Sequence, residues 1–179
     1  MDRVQLRRPE PVAGPLRGAP RHRGQEGRHH EPAPRGAPEL LGKLRRTVGV
    51  PLRIILVVRN PYDNVATLSK RLKFTVDQAL EQYVAACRTI ADVRGQLAED
   101  EHAELRHEDL IAAPQASLAR LCAFLDVDAP ADYLDDCASI LFDAPHRSRD
   151  DEAWSGSQRS RLDAAIERFP FLHGYAFDA

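Results

Sequence analysis

The sequence predicts an α/β protein with a parallel sheet flanked by helices, and three observations predict it. Arg53–Val58, "RIILVV", is a β-branched apolar run without alternation, the pattern of a strand covered on both faces. Asn60-Pro61 directly after it opens a helical pattern that runs to about Leu72. The order that follows is helix, short strand, helix and closing helix, which is how parallel strands are joined.

The elements follow in chain order. "PELLGKLRRTV" predicts a short helix over Pro38–Thr47, with proline in its first turn. After the strand and the Asn60-Pro61 helix, Thr75 and Gln78 form a capping box. The helix they start keeps Val76, Ala79, Leu80, Tyr83, Cys87, Ile90 and Leu97 on one apolar face. Ala103–Arg106 is a short second strand. Pro114 begins a helix that turns Leu118, Leu121, Cys122 and Leu125 inward. A last helix near Ser157–Phe169 buries Leu162, Ala165, Ile166 and Phe169, and Pro170 ends it. There is no internal repeat.

Bulk properties exclude several classes. At 179 residues the chain suits one domain with its own core, and 43% hydrophobic with 29% charged residues is ordinary for a globular protein. A net charge of −2 gives no global field for nucleic acid or a membrane surface. The longest apolar run, Ile54–Val58, is too short to span a bilayer, and no secretory leader is visible, so a cytoplasmic location is expected. Cys87, Cys122 and Cys137 lack the spacing of a metal site or disulfide framework, and Cys87 and Cys122 read as small core residues. No metal is expected.

Charge divides the chain into 1–38 and 39–179. Residues 1–38 hold eight arginines, no lysine, seven prolines and five glycines against four acids, a net +4 that leaves −6 for the rest. This segment has no periodicity and only Leu6 and Leu16 as leucines, so disorder is expected. A basic arm for nucleic acid is one reading. Another is a frameshifted or mis-assigned start, because 22 arginines against three lysines in the whole chain suggest a GC-rich gene. Residues 39–179 carry the folded domain.

One junction carries chemistry. Asn60 precedes a proline and is pushed from helical dihedrals into an N-cap position, and Pro61 is then the first helical residue. Asp63 favours the positive helix end. These three make the turn without any need of a ligand. Arg59 differs: it ends a strand at the sheet edge where α/β proteins bind ligands, and its guanidinium is always charged. Thr67, eight residues on, places a hydroxyl beside the same pocket. An arginine and a hydroxyl at a helix start can clamp a phosphate. Spacing alone leaves open the alternative of an arginine paired with a neighbouring carboxylate.

"VVRNPYDNVATL" (57–68) resembles the 3′-phosphate-binding motif of the sulfotransferase family, whose donor is 3′-phosphoadenylyl sulfate (PAPS). "LRHEDLIAAPQASLARLCAFLDV" (105–127) is similar to that family's strand, Tyr-Glu-Asp-Leu, proline-led helix and Phe-Leu. "HRSRDDEAWS" (146–155) and "RFPFLHGYAF" (168–177) are similar to the C-terminal ends of bacterial members. The resemblance spans roughly residues 39–179. It implies a three-layer α/β/α, P-loop-NTPase-like sulfotransferase fold whose N-terminal part is missing here. It also implies PAPS as donor, adenosine 3′,5′-bisphosphate as product, Arg59 and Thr67 as donor-binding residues, and a hydroxyl or amine acceptor on a small molecule or glycan. Neither nucleic acid nor a membrane span is implied.

The pattern also departs from the family. No segment like the 5′-phosphosulfate loop, Pro-(Lys/Arg)-Ser-Gly-Thr-Thr, precedes Arg59, and no GxxxxGK[ST] occurs. The catalytic base lies in the same region of the family, so none is assigned, and His22, His29 and His30 are not offered for the role. His107 stands where the family motif has tyrosine. Glu108 and Asp109 read as caps of the following turn, and Trp154 as a packing residue. Arg147 and Arg149 either edge the nucleotide pocket or are solvated loop charges. A catalytically inactive remnant, or a binding protein using the basic arm, remain as alternatives. An uncovered sheet edge would leave the chain poorly soluble or dependent on a partner.

Overall fold

The computed structural model describes residues 37–178. The expectations for residues 1–38, disorder, a basic arm or a frameshifted start, lie outside them except at Ala37 and Pro38, which open the first helix; His22, His29 and His30 lie outside as well.

Local chemistry sets most element starts. Helix α1 (Ala37–Val48) opens the described chain and leads to strand β1 (Ile54–Val58). Helix α2 (Pro61–Leu72) starts where the Asn-Pro pair predicts: Asn60 is the N-cap and its Oδ1 accepts from Tyr62 N–H at 3.0 Å. Helix α3 (Val76–Arg94) starts from the Thr75–Gln78 capping box. It buries Ala79, Leu80, Tyr83 and Cys87, but Gly95 ends it before Leu97, which falls outside the helix. Strand β2 (His102–Arg106) follows.

Two helices are additions to the sequence reading. The first, α4 (His107–Ala112), fills the turn between β2 and the proline-led helix α5 (Pro114–Leu125). The second, α6 (Ala131–Ser139), packs on α5. Leu125, predicted inward, is 41% exposed, because α5 ends there and Asp126 turns into the left-handed region at φ +59°. Helix α7 (Gly156–Arg168) starts from a second capping box, Ser155–Gln158, and buries Leu162, Ala165 and Ile166 as predicted.

β1 and β2 pair in parallel, with Ile54 opposite His102 and Val58 opposite Arg106. The molecule is therefore α/β with a parallel sheet, two-stranded among the described residues. The expectation that β1 is covered on both faces needs correction. Leu56 and Val58 point to the helical core, whereas Val57, on the opposite face, is 57% exposed. Continuous hydrophobicity thus marks a strand with apolar residues on both faces, the second of which is covered unevenly: Leu105, the β2 partner of Val57, is buried, while Val57 itself is left open.

The core lies between that covered face and helices α2, α3 and α7. Tyr62, Val65, Leu80, Leu162 and Leu172 are fully or almost fully buried there, with Cys87 beside them, and Cys122 is buried in α5. Among the described residues no helix is long and apolar enough to cross a membrane.

Candidate functional site

The register brings two helix starts together at one sheet edge. Val58 and Arg106 are partners, so Arg59–Asn60 and His107–Glu108 leave the sheet side by side. Glu108 uses that proximity. Its Oε1 accepts the Asn60 backbone N–H at 2.9 Å, and its Oε2 accepts the Tyr175 hydroxyl at 2.8 Å. Glu108 therefore ties β1, α4 and the C-terminal segment together rather than capping its own turn. Burial, and then Glu108, push the Tyr175 hydroxyl well above its ordinary value, so it stays a neutral donor.

The C-terminal segment runs across the same edge. Asn60 Nδ2 donates to Ala176 O at 2.9 Å, and Arg106 donates to His173 O at 2.6 Å. The Arg106 guanidinium also lies 4.8 Å from the centre of the Tyr175 ring. Gly174, at φ +90°, makes the bend between these contacts; a β-carbon there would strain the backbone. Trp154 packs edge-on against Tyr62, as does Phe177, so it has the packing role expected of it.

Arg59 and Thr67 meet at the segment around residues 145–149. Arg59 donates to His146 O and lies 3.4 Å from Ser148 Oγ; Thr67 Oγ1 is 3.3 Å from the same Ser148 Oγ. His146 Nδ1 stands 3.0 Å from that atom on another side. The two residues singled out by spacing thus converge on one point. The nearest carboxylate to Arg59 is Asp63, one turn on, at 3.9 Å. Arg59 Nε is buried and forms no hydrogen bond with the described residues.

Asp63 does more than favour a helix end. It is 2% exposed, accepts the Arg149 backbone N–H at 2.9 Å, and faces the Arg149 guanidinium at 3.5 Å. Arg149, 3% exposed, is a buried ion-pair member and not a solvated loop charge. Arg147 is exposed and pairs with Asp150 at 3.1 Å. Lys70 reaches Asp151 at 2.6 Å, which holds that carboxyl below its usual value. These contacts fasten the 146–151 stretch onto α2 along its length.

Beside these residues opens a cavity of about 390 Å³ whose walls include Arg106, Arg147, Arg149, Asp63, Glu108 and Tyr175. Three arginines against two carboxylates make its lining net positive, which suits an anion. A larger cleft of about 470 Å³ lies between α3 and α7, over Leu80, Val84 and Ala165, and shares no residue with this edge.

Sequence reasoning missed Ser148, His146, Glu108 and Tyr175 as parts of this arrangement. Only Ser148 left a local trace, a hydroxyl set between Arg147 and Arg149.

Residues 51–131, which carry Arg59, Thr67 and Glu108, match the model of the sulfotransferase family. That stretch, somewhat under half of the chain, is what is similar to the family. A solved structure, a sulfotransferase domain from the curacin biosynthetic pathway, aligns at 24% identity and a TM-score of 0.41. The alignment covers 45% of this chain and 32% of that one, so the chain spans about a third of that sulfotransferase domain. No curated protein matches the chain.

Proposed function

We propose that this sheet edge holds the 3′-phosphate of PAPS, and that the protein serves transfer of its sulfuryl group to a hydroxyl or amine of a small-molecule or glycan acceptor. The observation that carries the reading is the convergence of Arg59 and Thr67 on one point beside the N-terminus of α2. A guanidinium supplies paired charge-assisted donors to a phosphate, a hydroxyl adds a further one, and the helix start favours the negative charge. The residues present fit the group. Arg59 keeps one buried donor, Nε, uncommitted, and the adjoining cavity has room and positive lining for a nucleotide.

In the transfer, the bond between sulfur and the oxygen bridging it to the 5′-phosphate breaks as a bond from sulfur to the acceptor oxygen or nitrogen forms. The acceptor loses a proton and adenosine 3′,5′-bisphosphate leaves. The role of this chain's own residues is to fix the nucleotide end of the donor so that the sulfuryl group is presented in one orientation.

Calorimetric titration of the full chain with adenosine 3′,5′-bisphosphate and with adenosine 5′-phosphate tests it. The bisphosphate is expected to bind at least about tenfold more tightly, the value of one charge-assisted arginine contact. Equal affinities would overturn the 3′-phosphate assignment. Transfer of radiolabelled sulfate from PAPS to phenolic, alcoholic and amine acceptors then separates an enzyme from a protein that only binds the product.

A further inference from the structure

We infer that the cleft between α3 and α7 is a second binding site, for a small apolar molecule that carries one anionic head, a sulfate or a carboxylate. The inference is independent of the donor reading, because the cleft shares no lining residue with the cavity at the sheet edge.

Two facing stripes build the cleft. On α3, Glu81, Val84, Ala85 and Arg88 recur at helical spacing, and on α7 Arg161, Ala164, Ala165 and Arg168 do the same. The two helices run in the same direction. Near their starts Gln158 donates to Asp77 at 2.8 Å, and Arg161 reaches Asp77 at 2.7 Å and Glu81 at 3.8 Å. Past their far end, Arg94 lies 5.8 Å from the centre of the Phe171 ring. That register sets Arg88 level with Arg168. Alanines hold the middle of both stripes and are too small to fill the space between the helices. They leave an opening of about 470 Å³, enough for a small-molecule ligand. Leu80 and Phe169, 2% and 3% exposed, close its floor.

Charge distinguishes the two ends. At one end Arg161 is committed to Asp77 and to Glu81, the carboxylate that lines the cleft. At the other, Arg88 and Arg168 have no carboxylate partner among the described residues. The Arg168 guanidinium lies 5.6 Å from the centre of the Phe169 ring, so its charge sits beside the apolar floor. An apolar body gains by leaving water for the alanine-lined middle. An anionic head, and not a neutral one, gains from the two guanidiniums beside it. A purely structural Arg168 would favour the C-terminus of α7 and be indifferent to what enters the cleft, and this difference is measurable.

The experiment titrates the full chain by calorimetry at pH 7 with 2-naphthyl sulfate, 2-naphthoate and uncharged 2-naphthol. The three probes share one apolar body, and the tighter anion names the head that the site prefers. That anion is expected to bind about tenfold more tightly than 2-naphthol. Arg88 and Arg168 are exposed, so Arg88→Ala and Arg168→Ala should each weaken it about threefold. The double variant should bind it no better than the naphthol. Ala164→Phe fills the cleft from an exposed position and should abolish binding of all three probes at an unchanged melting temperature. Saturating adenosine 3′,5′-bisphosphate should leave the anion bound. Equal affinity for the three probes, or undiminished binding by the double arginine variant, would overturn the inference. Displacement by the bisphosphate, with the arginine variants unaffected, would place the anion at the sheet edge and overturn it too. If the arginine variants change the sedimentation coefficient but not the probe affinity, the cleft is an interface between copies of the chain and the inference fails.

Discussion

Asp63 and Arg149 meet across 86 residues of chain: the Asp63 carboxylate accepts the Arg149 backbone N–H at 2.9 Å and faces its guanidinium at 3.5 Å. Both side chains are 3% exposed. A buried pair of this kind contributes little over a well-packed apolar pair, but removing one member strands the other charge. The contact also fixes the segment that carries His146, Arg147 and Ser148 against the start of α2.

Asp63→Ala should therefore lower the free energy of unfolding by about 3–5 kcal/mol in urea titrations. Asp63→Leu combined with Arg149→Leu should cost clearly less than the two single changes added together. Strict additivity would mean that the pair has no energetic coupling.

Arg59→Ala should weaken adenosine 3′,5′-bisphosphate binding by about tenfold or more, a loss of about 1.5–3 kcal/mol for a bond to a charged group. Arg59→Lys should fall between, because an ammonium keeps the charge and loses the planar fork. Thr67→Val should cost about three- to tenfold. Melting temperatures of all three should stay near wild type, since Arg59 and Thr67 are only partly buried.

What was legible in the sequence was what is local. Asn60, Thr75 and their caps act within a few residues, so the starts of α2 and α3 could be placed to the residue, and with them Arg59 and Thr67. The starts of α4 and α6 were not legible for the same reason: neither has a side-chain cap, and each is short. The partners that complete the site lie far along the chain. Glu108 meets Asn60 across 48 residues and Ser148 meets Thr67 across 81, and only the parallel register and the docking of the 146–151 stretch bring them together. Val57 failed in the opposite way. Its hydrophobicity predicts burial, but burial depends on what packs against that face of the sheet.

That exposed face has a consequence in solution. Val57, with Val50 at 63% exposed beside the strand entry, should promote concentration-dependent self-association, measured by light scattering. Val57→Lys should reduce it without changing the melting temperature by more than a degree or two, because the side chain has little packing to lose. Unchanged scattering would place the sticky surface elsewhere.

The Glu108 bridge should be more sensitive on its acceptor side. Tyr175→Phe removes one hydrogen bond and leaves Glu108 with Asn60 N–H, at a cost of about 1 kcal/mol. Glu108→Ala leaves two donors without their acceptor and should cost about 2–3 kcal/mol. Chemical denaturation of both variants checks the ranking, and a larger loss for Tyr175→Phe would contradict the bridge.

Alkaline pH should destabilise the fold through Cys87. Burial pushes its thiol up from 9.0 to about 11, opposed only by a hydrogen bond with Tyr83. A folded-state value above the unfolded one means that the unfolded chain loses its proton first. Stability from this group is thus complete below pH 9 and is lost as pH rises towards 11. Between pH 8 and 10 the loss should be about 1 kcal/mol. Burial raises Tyr83, Tyr62 and Tyr175 as well, from 10.0, so their contributions begin to fall as pH nears 10, and the comparison with a variant lacking the thiol isolates Cys87. Urea unfolding of wild type and Cys87→Ala at pH 8, 9 and 10 separates the effect from any packing defect. The variant starts lower, because a buried atom is gone, but its stability should fall less with pH. Parallel curves for the two proteins would show that the thiol does not titrate in this window on unfolding.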